Sequence, residues 1–238
     1  MRIAGLSDVH GNLAALEAVL GDVTRRGADA VVGLGDFVSG PFDPRGVADR
    51  VMAANMPAVR GNHDRWVVEG RDDDWHVDKL VREELNSAHT DWLRSLPATR
   101  VFEGEVFMCH ATPTTDTEFW MDRLTESHGV LSNPREKIEA EAEGVDFPVL
   151  LCGHTHVART LRLADGRLLV NPGSVGLPFL LGSPDARYAM IEKRNGAWLV
   201  ELFAIPYERA PAVAQAHGYG YPGFAMAIQT GWATFADL

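Results

Sequence analysis

The sequence predicts a single α/β domain, and two features of its pattern carry this prediction. Short apolar runs alternate with amphipathic stretches in the first part of the chain, whereas the second half is rich in strand and hairpin signals. The chain has 238 residues, 46% of them hydrophobic, which suits one domain with a substantial core. We therefore expect one domain over residues 1–238.

The first part of the chain predicts the element order β-α-β-α-β. Three apolar runs, at 3–7, 30–34 and 56–60, are typical of strands. Between them, residues 13–23 and 44–52 place apolar side chains at helical spacing. This alternation is typical of parallel strands joined by crossover helices.

The second half predicts antiparallel hairpins. Each of three turn signals separates two apolar runs: Glu103-Gly104-Glu105, Asp165-Gly166 and Asn195-Gly196. A helix is expected around residues 135–143. From residue 206 onward the composition gives no readable pattern.

Two segments are predicted to be insertions in this framework. Residues 65–98 carry apolar residues at helical spacing and predict a helical insertion, whereas residues 111–147 are polar and predict a loop insertion. The tryptophans Trp66, Trp75, Trp92 and Trp120 lie in or near these segments. Such residues are typical of a core or a subunit contact, and stacking on a ring of a substrate is the alternative.

Composition narrows the classes of partner. The formal net charge of −11 disfavours binding of extended duplex nucleic acid, although a small phosphorylated substrate stays possible beside bound cations. No apolar run approaches the roughly 20 residues of a membrane span, and the first residues lack the pattern of a signal peptide. We therefore expect a cytoplasmic protein without membrane contact. The two cysteines, Cys109 and Cys152, predict buried thiols, and the oligomeric state is left open.

Five short segments concentrate the residues that bear chemistry. They contain carboxylates, imidazoles and one amide, and they hold five of the nine histidines. The segments are Asp8-Val9-His10, Gly35-Asp36, Gly61-Asn62-His63-Asp64, His110 and Gly153-His154-Thr155-His156.

Placement at strand ends predicts that these segments meet. Asp8, Asp36 and Asn62 each follow a predicted strand, and ligands of open α/β sheets bind beyond the carboxyl ends of the strands. Oxygen and nitrogen donors suit divalent metal ions. Two such ions close together favour in-line displacement at phosphorus, so the pattern predicts a hydrolase of phosphate esters.

In this order, the segments resemble the calcineurin-like metallophosphoesterase family, whose pattern is D-x-H, G-D, G-N-H-[DE], a lone H and G-H-x-H. The resemblance spans residues 1 to about 175. Within the family the chain is similar to the small bacterial and archaeal phosphodiesterases of the YfcE type, and Asn171-Pro172-Gly173-Ser174 also resembles that group. The resemblance implies a two-sheet β-sandwich flanked by helices.

The resemblance also implies a division of roles. Asp8, His10 and His156 would hold one ion, Asn62, His110 and His154 the other, and Asp36 would bridge them. The ions would be Mn, Fe, Co, Ni or Zn, with Mn favoured. A metal-bridging hydroxide would attack phosphorus. His63 would assist the leaving group, and Asp64 would orient the His63 imidazole.

Several alternatives stay open from the sequence. A phosphodiesterase acting on a small substrate, possibly a nucleotide, is favoured over a dinucleoside polyphosphate hydrolase or a phosphomonoesterase. A non-catalytic scaffold with a degraded metal site is a third possibility, but every ligand position of the family pattern carries a metal-binding residue in this sequence. Asn12 either caps the first helix or supports the metal site.

Overall fold

The computed structural model describes residues 1–70, 76–125, 129–233 and 238. Within these residues eleven strands are assigned: β1 (Arg2–Leu6), β2 (Ala30–Gly33), β3 (Thr99–Phe102), β4 (Val106–Cys109), β5 (Asp122–Leu124), β6 (Val130–Ser132), β7 (Val149–Leu151), β8 (Arg159–Arg162), β9 (Leu168–Asn171), β10 (Ala186–Arg194) and β11 (Ala197–Ile205). Eight helices accompany them: α1 (Leu13–Arg26), α2 (Pro44–Ala53), α3 (Asn62–Glu69), α4 (His76–Glu84), α5 (Ser87–Ser95), α6 (Arg135–Glu141), α7 (Ala210–Gly218) and α8 (Pro222–Thr230).

The strands form two main sheets. The first has the order β11-β10-β1-β2 and the second the order β3-β4-β7-β9-β8, while β5 and β6 form a separate pair. Strands β1 and β2 are parallel, as the first part of the sequence predicts. The three predicted hairpins are confirmed as the antiparallel pairs β3–β4, β8–β9 and β10–β11. The strand predicted at 56–60 is reduced to one parallel bridge between Gly33 and Ala58.

The two sheets pack face to face through a shared apolar layer. Its residues come from alternate positions of strands in both sheets, because successive side chains of a strand point to opposite faces. The buried members are Ile3, Val32, Leu34, Val59, Val106, Met108, Val149, Leu151, Leu168, Val170, Ala189, Ile191 and Trp198. The predicted sandwich of two sheets is confirmed.

Helices cover the outer faces of the sandwich. Helices α1, α2, α7 and α8 contribute to the cluster that lies against the outer face of the first sheet. On the second sheet, Ile138 of α6 packs with Trp120 and Leu150. Because each helix buries only one apolar stripe, the polar residues of the opposite faces reach the surface.

The insertions are richer in structure than the sequence indicates. The helical insertion predicted at 65–98 holds α4 and α5, but its first helix, α3, already begins at Asn62. The loop predicted at 111–147 contains the unpredicted β5–β6 pair, whereas helix α6 confirms the helix expected around residues 135–143. The segment after residue 206 forms α7 and α8, for which Pro211 and Pro222 provide helix-starting residues.

Helix α1 begins at the residue that the sequence singled out. Asn12 accepts a hydrogen bond from the Ala15 backbone N–H (3.1 Å), which confirms the capping role. Its amide also donates to Gly176 O (3.1 Å) and to the Tyr207 hydroxyl (2.9 Å). Asn12 therefore fixes α1 to the loop that follows β9.

No helix among the described residues is long and apolar enough to cross a membrane. Both cysteines are buried free thiols, as predicted.

We expect Ile191→Ala to lower the free energy of unfolding by about 2–5 kcal/mol, because it opens a cavity between the two sheets. Ile191 of β10 is fully buried, whereas Leu199 on the neighbouring strand β11 is 43% exposed. Leu199→Ala is the matched control and should change stability by no more than about 0.5 kcal/mol. Urea denaturation of both variants measures the difference. Equal effects would contradict the assignment of this layer as the core.

Candidate metal centre

Six of the seven predicted ligands lie on loops that leave the carboxyl ends of strands in both sheets, and Asn62 begins helix α3. Asp8 and His10 follow β1, and Asp36 follows β2. From the second sheet, His110 follows β4, and the segment containing His154 and His156 follows β7. Since β1 runs parallel to β2 and β4 parallel to β7, these loops emerge at one end of the sandwich.

One group of potential ligands consists of Asp8, His10 and His156. Their ligand atoms all lie within 4.8 Å of one another. His10 Nε2 is 3.0 Å from His156 Nε2, and His156 Nε2 is 3.5 Å from Asp8 Oδ1. All three residues are buried, so the donors face each other away from bulk water.

A second group consists of Asp36, His110 and His154, again with ligand atoms within 4.8 Å. Asn62 joins this group, because its Oδ1 is 2.9 Å from His110 Nε2. Asp36 Oδ2 lies 3.2 Å from His110 Nε2 and 3.9 Å from His10 Nε2 of the first group. The structure thus brings all seven predicted ligands together, with Asp36 between the two groups.

The donor atoms fit divalent cations. Asp8 Oδ1 and Asp36 Oδ2 are buried and accept no hydrogen bond within the described part of the protein. An ionised carboxylate oxygen in such a position is costly unless a positive charge compensates it. These two oxygens are therefore the atoms that cations would satisfy.

The tautomers of the histidines support the same conclusion. The Nδ1–H groups of His10, His110 and His156 donate to backbone carbonyls, of Ser39 (2.5 Å), Leu34 (2.7 Å) and Leu177 (2.6 Å). A neutral imidazole that donates from Nδ1 presents a lone pair at Nε2. The lone pairs of His10 and His156 consequently face each other, which is favourable with a cation between them. His154 is reversed: its Nε2 contacts Thr117 O (3.0 Å), so Nδ1 is its ligand atom.

Burial sets the charge state of these groups among protein atoms alone. It lowers the pKa of His10 to about 4 and that of His154 to about 3, so both imidazoles are neutral and able to bind a metal. Burial raises the pKa of Asp8 to about 7, with the Asp36 charge adding to the effect. Burial also lowers the pKa of His110, but the Asp36 carboxylate outweighs it and raises that pKa to about 10. Among protein atoms alone, a proton on His110 thus compensates the negative charge of Asp36, a role that a bound cation would take over.

Backbone strain is concentrated at the same residues. Five of the seven ligands have positive φ: Asp8 (55°), His10 (48°), Asp36 (54°), His154 (68°) and His156 (59°). This left-handed region is unfavourable for residues with a Cβ and recurs at functional sites. The fold must therefore hold these loops in place through other contacts.

Buried polar residues provide such contacts. Ser174 Oγ donates to Asp8 O (2.6 Å) and accepts from Leu177 N (2.7 Å), which ties the Asp8 loop to the segment after β9, where the Leu177 carbonyl accepts from His156 Nδ1. Asn171 Nδ2 donates to Gly153 O (2.7 Å). Thr155, between the two ligand histidines, donates to Asp122 Oδ2 (3.0 Å). Asp122 could not be recognised from sequence, because it lies in the polar stretch predicted as a loop insertion.

The structure corrects the role expected of Asp64. Its Oδ2 accepts the N–H groups of Asp36 (2.8 Å) and Gly61 (3.0 Å), and its Oδ1 accepts that of Phe37 (2.9 Å). A carboxylate in the first turn of a helix is well placed to satisfy exposed amides. Asp64 therefore shapes the Asp36 loop rather than orienting His63.

The carboxylate beside His63 comes from the helical insertion. Asp78 of α4 is buried, and its Oδ1 lies 3.3 Å from His63 Nδ1. Ser39 Oγ lies 3.2 Å from the same nitrogen and donates a short hydrogen bond to Asp78 Oδ1. Sequence reasoning missed Asp78, because nothing in an amphipathic helix distinguishes a carboxylate that turns inward.

A cleft opens onto both ligand groups. One part of its wall is polar and includes the ligands together with Ser39 and His63, whereas the other part is apolar. The apolar lining residues are Phe119, Leu177, Phe179, Phe224 and Leu238.

The other histidines and tryptophans whose side chains the structure describes lie outside this arrangement or beside it. His89 is buried and contacts Asp49 (2.8 Å). Trp120 is a core residue, whereas the Trp66 ring packs edge-on against His63 with centroids 4.8 Å apart. Trp75 and His128 lie outside the described residues.

We expect Gly61→Ala to lower the affinity for divalent ions by at least about tenfold, because an added Cβ would displace Asp36. A Cβ at Gly61 would lie 2.1 Å from Asp36 Oδ1 and 2.5 Å from Asp36 N. Gly21→Ala is the control, since a Cβ there meets the flexible Arg25 side chain at 3.6 Å. Elemental analysis after dialysis against metal gives the bound ions per chain. Equal metal content in the two variants would contradict this role of Gly61.

Comparison with known proteins identifies the family. The profile of the calcineurin-like phosphoesterase superfamily domain matches residues 1–196. Phosphodiesterase YfcE of Escherichia coli K12 is 30% identical over 205 residues, which cover 81% of this chain and 88% of YfcE. Uncharacterized protein MJ0912 of Methanocaldococcus jannaschii is 27% identical over 218 residues, covering 87% and 88% of the two chains.

A solved structure agrees over nearly the whole length. The crystal structure of a metallophosphoesterase from Sphaerobacter thermophilus superposes with a TM-score of 0.80 at 27% identity, covering 97% of this chain and 100% of that one. The chain belongs to the calcineurin-like phosphoesterase superfamily, and it is a hydrolase of phosphoric esters that uses divalent metal ions.

Proposed function

We propose that this enzyme is a dinuclear phosphodiesterase. Asp8, His10 and His156 would hold one ion, and Asn62, His110 and His154 the other, with Asp36 shared. The observation that carries the proposal is the pair of ligand groups around Asp36, whose Oδ2 has no hydrogen-bond partner among the described residues. A carboxylate shared by two cations is typical of enzymes that displace an ester oxygen from phosphorus.

The donor set favours first-row metals over calcium. Imidazole nitrogens and carboxylate oxygens without thiolate suit Mn, Fe, Co, Ni or Zn, and we favour Mn. When bound, two such ions would lower the pKa of water and stabilise charge on the phosphoryl oxygens. The expected cytoplasmic location and the assignment of the whole chain to one domain stay predictions.

His63 is the proposed group for the leaving oxygen. It lies beside the first ligand group, with its ring 5.5 Å from that of His10, and it lines the same cleft. Its backbone N–H donates to Asp36 Oδ1 (2.9 Å), which ties its position to the shared ligand. Because Nδ1 faces Asp78 and Ser39, we assign Nε2 to donate to the leaving oxygen.

The charge of the cleft supports a diester as substrate. A diester carries one negative charge, whereas a monoester carries nearly two at neutral pH. The described lining residues of the cleft include no lysine or arginine. A polyphosphate chain needs such cations even more, so the dinucleoside polyphosphate reading is the weaker alternative. Phosphomonoester hydrolysis stays the alternative that a substrate comparison decides.

A non-catalytic scaffold is disfavoured by the same site. The ligand positions are filled, and His63 stands next to them with its own acidic partner. A site used only for protein contacts would not need a buried carboxylate and a serine behind this imidazole.

We expect metal-restored hydrolysis of bis-p-nitrophenyl phosphate by protein first treated with a chelator. Mn, Ni, Zn and Mg are added back separately, and p-nitrophenyl phosphate is the monoester control. Activity on the diester should exceed that on the monoester by about tenfold or more, since the cleft lacks described cationic side chains. A monoester rate far above the diester rate would overturn the diesterase assignment. Absence of turnover with bound metal would favour the scaffold.

We expect Asp78→Asn to slow substrates with a basic leaving group more than substrates with an acidic one. Loss of the carboxylate would let the His63 ring turn, and a general acid matters most when the leaving oxygen is basic. The rate should fall by about tenfold or more on methyl phenyl phosphate and less on methyl p-nitrophenyl phosphate. His63→Ala should show the same dependence with a larger loss.

The control for this prediction is Asp49→Asn, which removes a carboxylate from the buried His89 outside the site. It should leave both rates unchanged. Metal content is measured in parallel, because a structural effect would lower it. An equal loss on both substrates in Asp78→Asn would contradict the positioning role.

A further inference from the structure

We propose that the apolar wall of the cleft is a subsite for an apolar ring carried by the substrate. This inference rests on the proposed function and adds the chemical class of one ester group. The wall consists of Phe119, Leu177, Phe179, Phe224 and Leu238. We call this set the ring subsite.

The ring subsite is in direct contact with both ligand groups. Phe179 stacks on His156, with ring centroids 4.7 Å apart and an interplanar angle of 11°. Phe119 packs edge-on against His154 at 5.0 Å. A group bonded to a phosphorus atom held at the metal site therefore lies within reach of Phe179 on the side of His156 and of Phe119 on the side of His154.

Part of the ring subsite comes from beyond the family domain. Phe224 of α8 and the terminal residue Leu238 follow residue 196, where the family match ends. Phe224 is held by Phe42 and Tyr221, with ring centroids 6.2 Å and 5.9 Å away. Its side chain is only 3% exposed, so this part of the wall is fixed before substrate binds.

The loop that carries Phe179 is fastened to the same segment. Gly182 N donates to Gly231 O (3.0 Å), just past the end of α8. A Cβ at Gly231 would lie 2.6 Å from Ser183 N, so the two segments of the backbone approach each other as closely as a glycine allows. The two halves of the wall are thus built as one surface.

Size and polarity define the ligand. The cleft has a volume of about 120 Å³, which the ligand groups and the apolar wall share. Since an apolar cavity of about 150 Å³ holds one benzene ring, the wall has room for no more than a single ring. The five wall side chains offer no hydrogen-bonding group. A nucleobase would bury polar edge atoms against them at a cost, so the ring subsite fits an aryl-type ring better.

Calorimetry with two phosphinates tests the proposal. Dimethylphosphinate and methylphenylphosphinate carry the same charge and have no ester bond to cleave, and they differ by one ring. We expect the Mn-loaded protein to bind the phenyl compound about tenfold more tightly. The preference should fall to less than about threefold in Phe179→Ala and in Phe224→Ala.

The matched control is Met226→Ala, an exposed position on α8 that should keep the full preference. Leu238→Ser, at the terminal residue, replaces Phe224→Ala if the latter unfolds in a thermal melt. The preference is the ratio of two affinities measured on the same sample. Partial metal loss in Phe179→Ala would weaken both affinities and would not by itself lower this ratio. A wild-type protein without preference, or wall variants that keep it, would overturn the ring subsite.

The same samples separate the two proposals. Hydrolysis of diesters without a ring preference would leave the phosphodiesterase and remove the ring subsite. A ring preference lost in the wall variants, in a protein that hydrolyses no diester with any metal, would support the subsite and remove the proposed function.

Discussion

Two buried carboxylate oxygens, Asp8 Oδ1 and Asp36 Oδ2, are the constraint on which the rest of this site depends. Neither has a hydrogen-bond partner within the described chain. Asp8 Oδ1 faces His156 Nε2, and Asp36 Oδ2 faces His110 Nε2, where among protein atoms alone a proton on His110 compensates the charge. Such an arrangement is unfavourable for the protein alone and favourable around positive charge. The strained backbone at five ligands adds to the same imbalance. The fold accepts this cost because the loops are fastened from behind by Ser174, Asn171 and Asp122, which are all buried. The stability of the sandwich thus supports a site that is unfavourable without bound cations.

The sandwich and the roles of the ligands were implied by the family resemblance, whereas the strand order and the placement of several ligands could be predicted from local patterns with a fixed geometric meaning. A polar residue directly after an apolar strand lies at the carboxyl end of that strand, so Asp8 and Asp36 could be placed without coordinates. Turn pairs such as Asn195-Gly196 determine which strands are adjacent, and β10 and β11 pair as expected. The strand predicted at 56–60 was wrong in extent. Its apolar residues pack in the core, but only Ala58 takes part in a bridge, since the chain turns directly into α3.

The partner of His63 could not be predicted, because proximity in sequence is a poor guide to orientation at a helix start. Asp64 is the adjacent carboxylate, yet its oxygens satisfy three backbone amides that would otherwise be unpaired. Asp78 reaches the imidazole only because α4 packs against α3, a contact between two amphipathic helices whose relative placement no periodicity specifies. Ser39 completes the arrangement from the loop after β2. A polar network of this kind is a product of tertiary packing and becomes visible only with the fold.

The residues proposed for the chemistry and those proposed for substrate selectivity come from different parts of the chain. All seven proposed ligands and His63 lie within the matched family domain, six of the ligands on loops and Asn62 and His63 at the start of helix α3. The apolar wall of the cleft lies only partly within that domain: Phe119 comes from the insertion after β4, whereas Phe224 and Leu238 come from the segment past β11, beyond residue 196. Loops and added helices can change composition without moving the strands, so the surfaces that select a substrate vary independently of the metal site. Family membership therefore accounts for the proposed metal ligands of this chain, whereas the residues of the proposed ring subsite have to be identified from this chain itself.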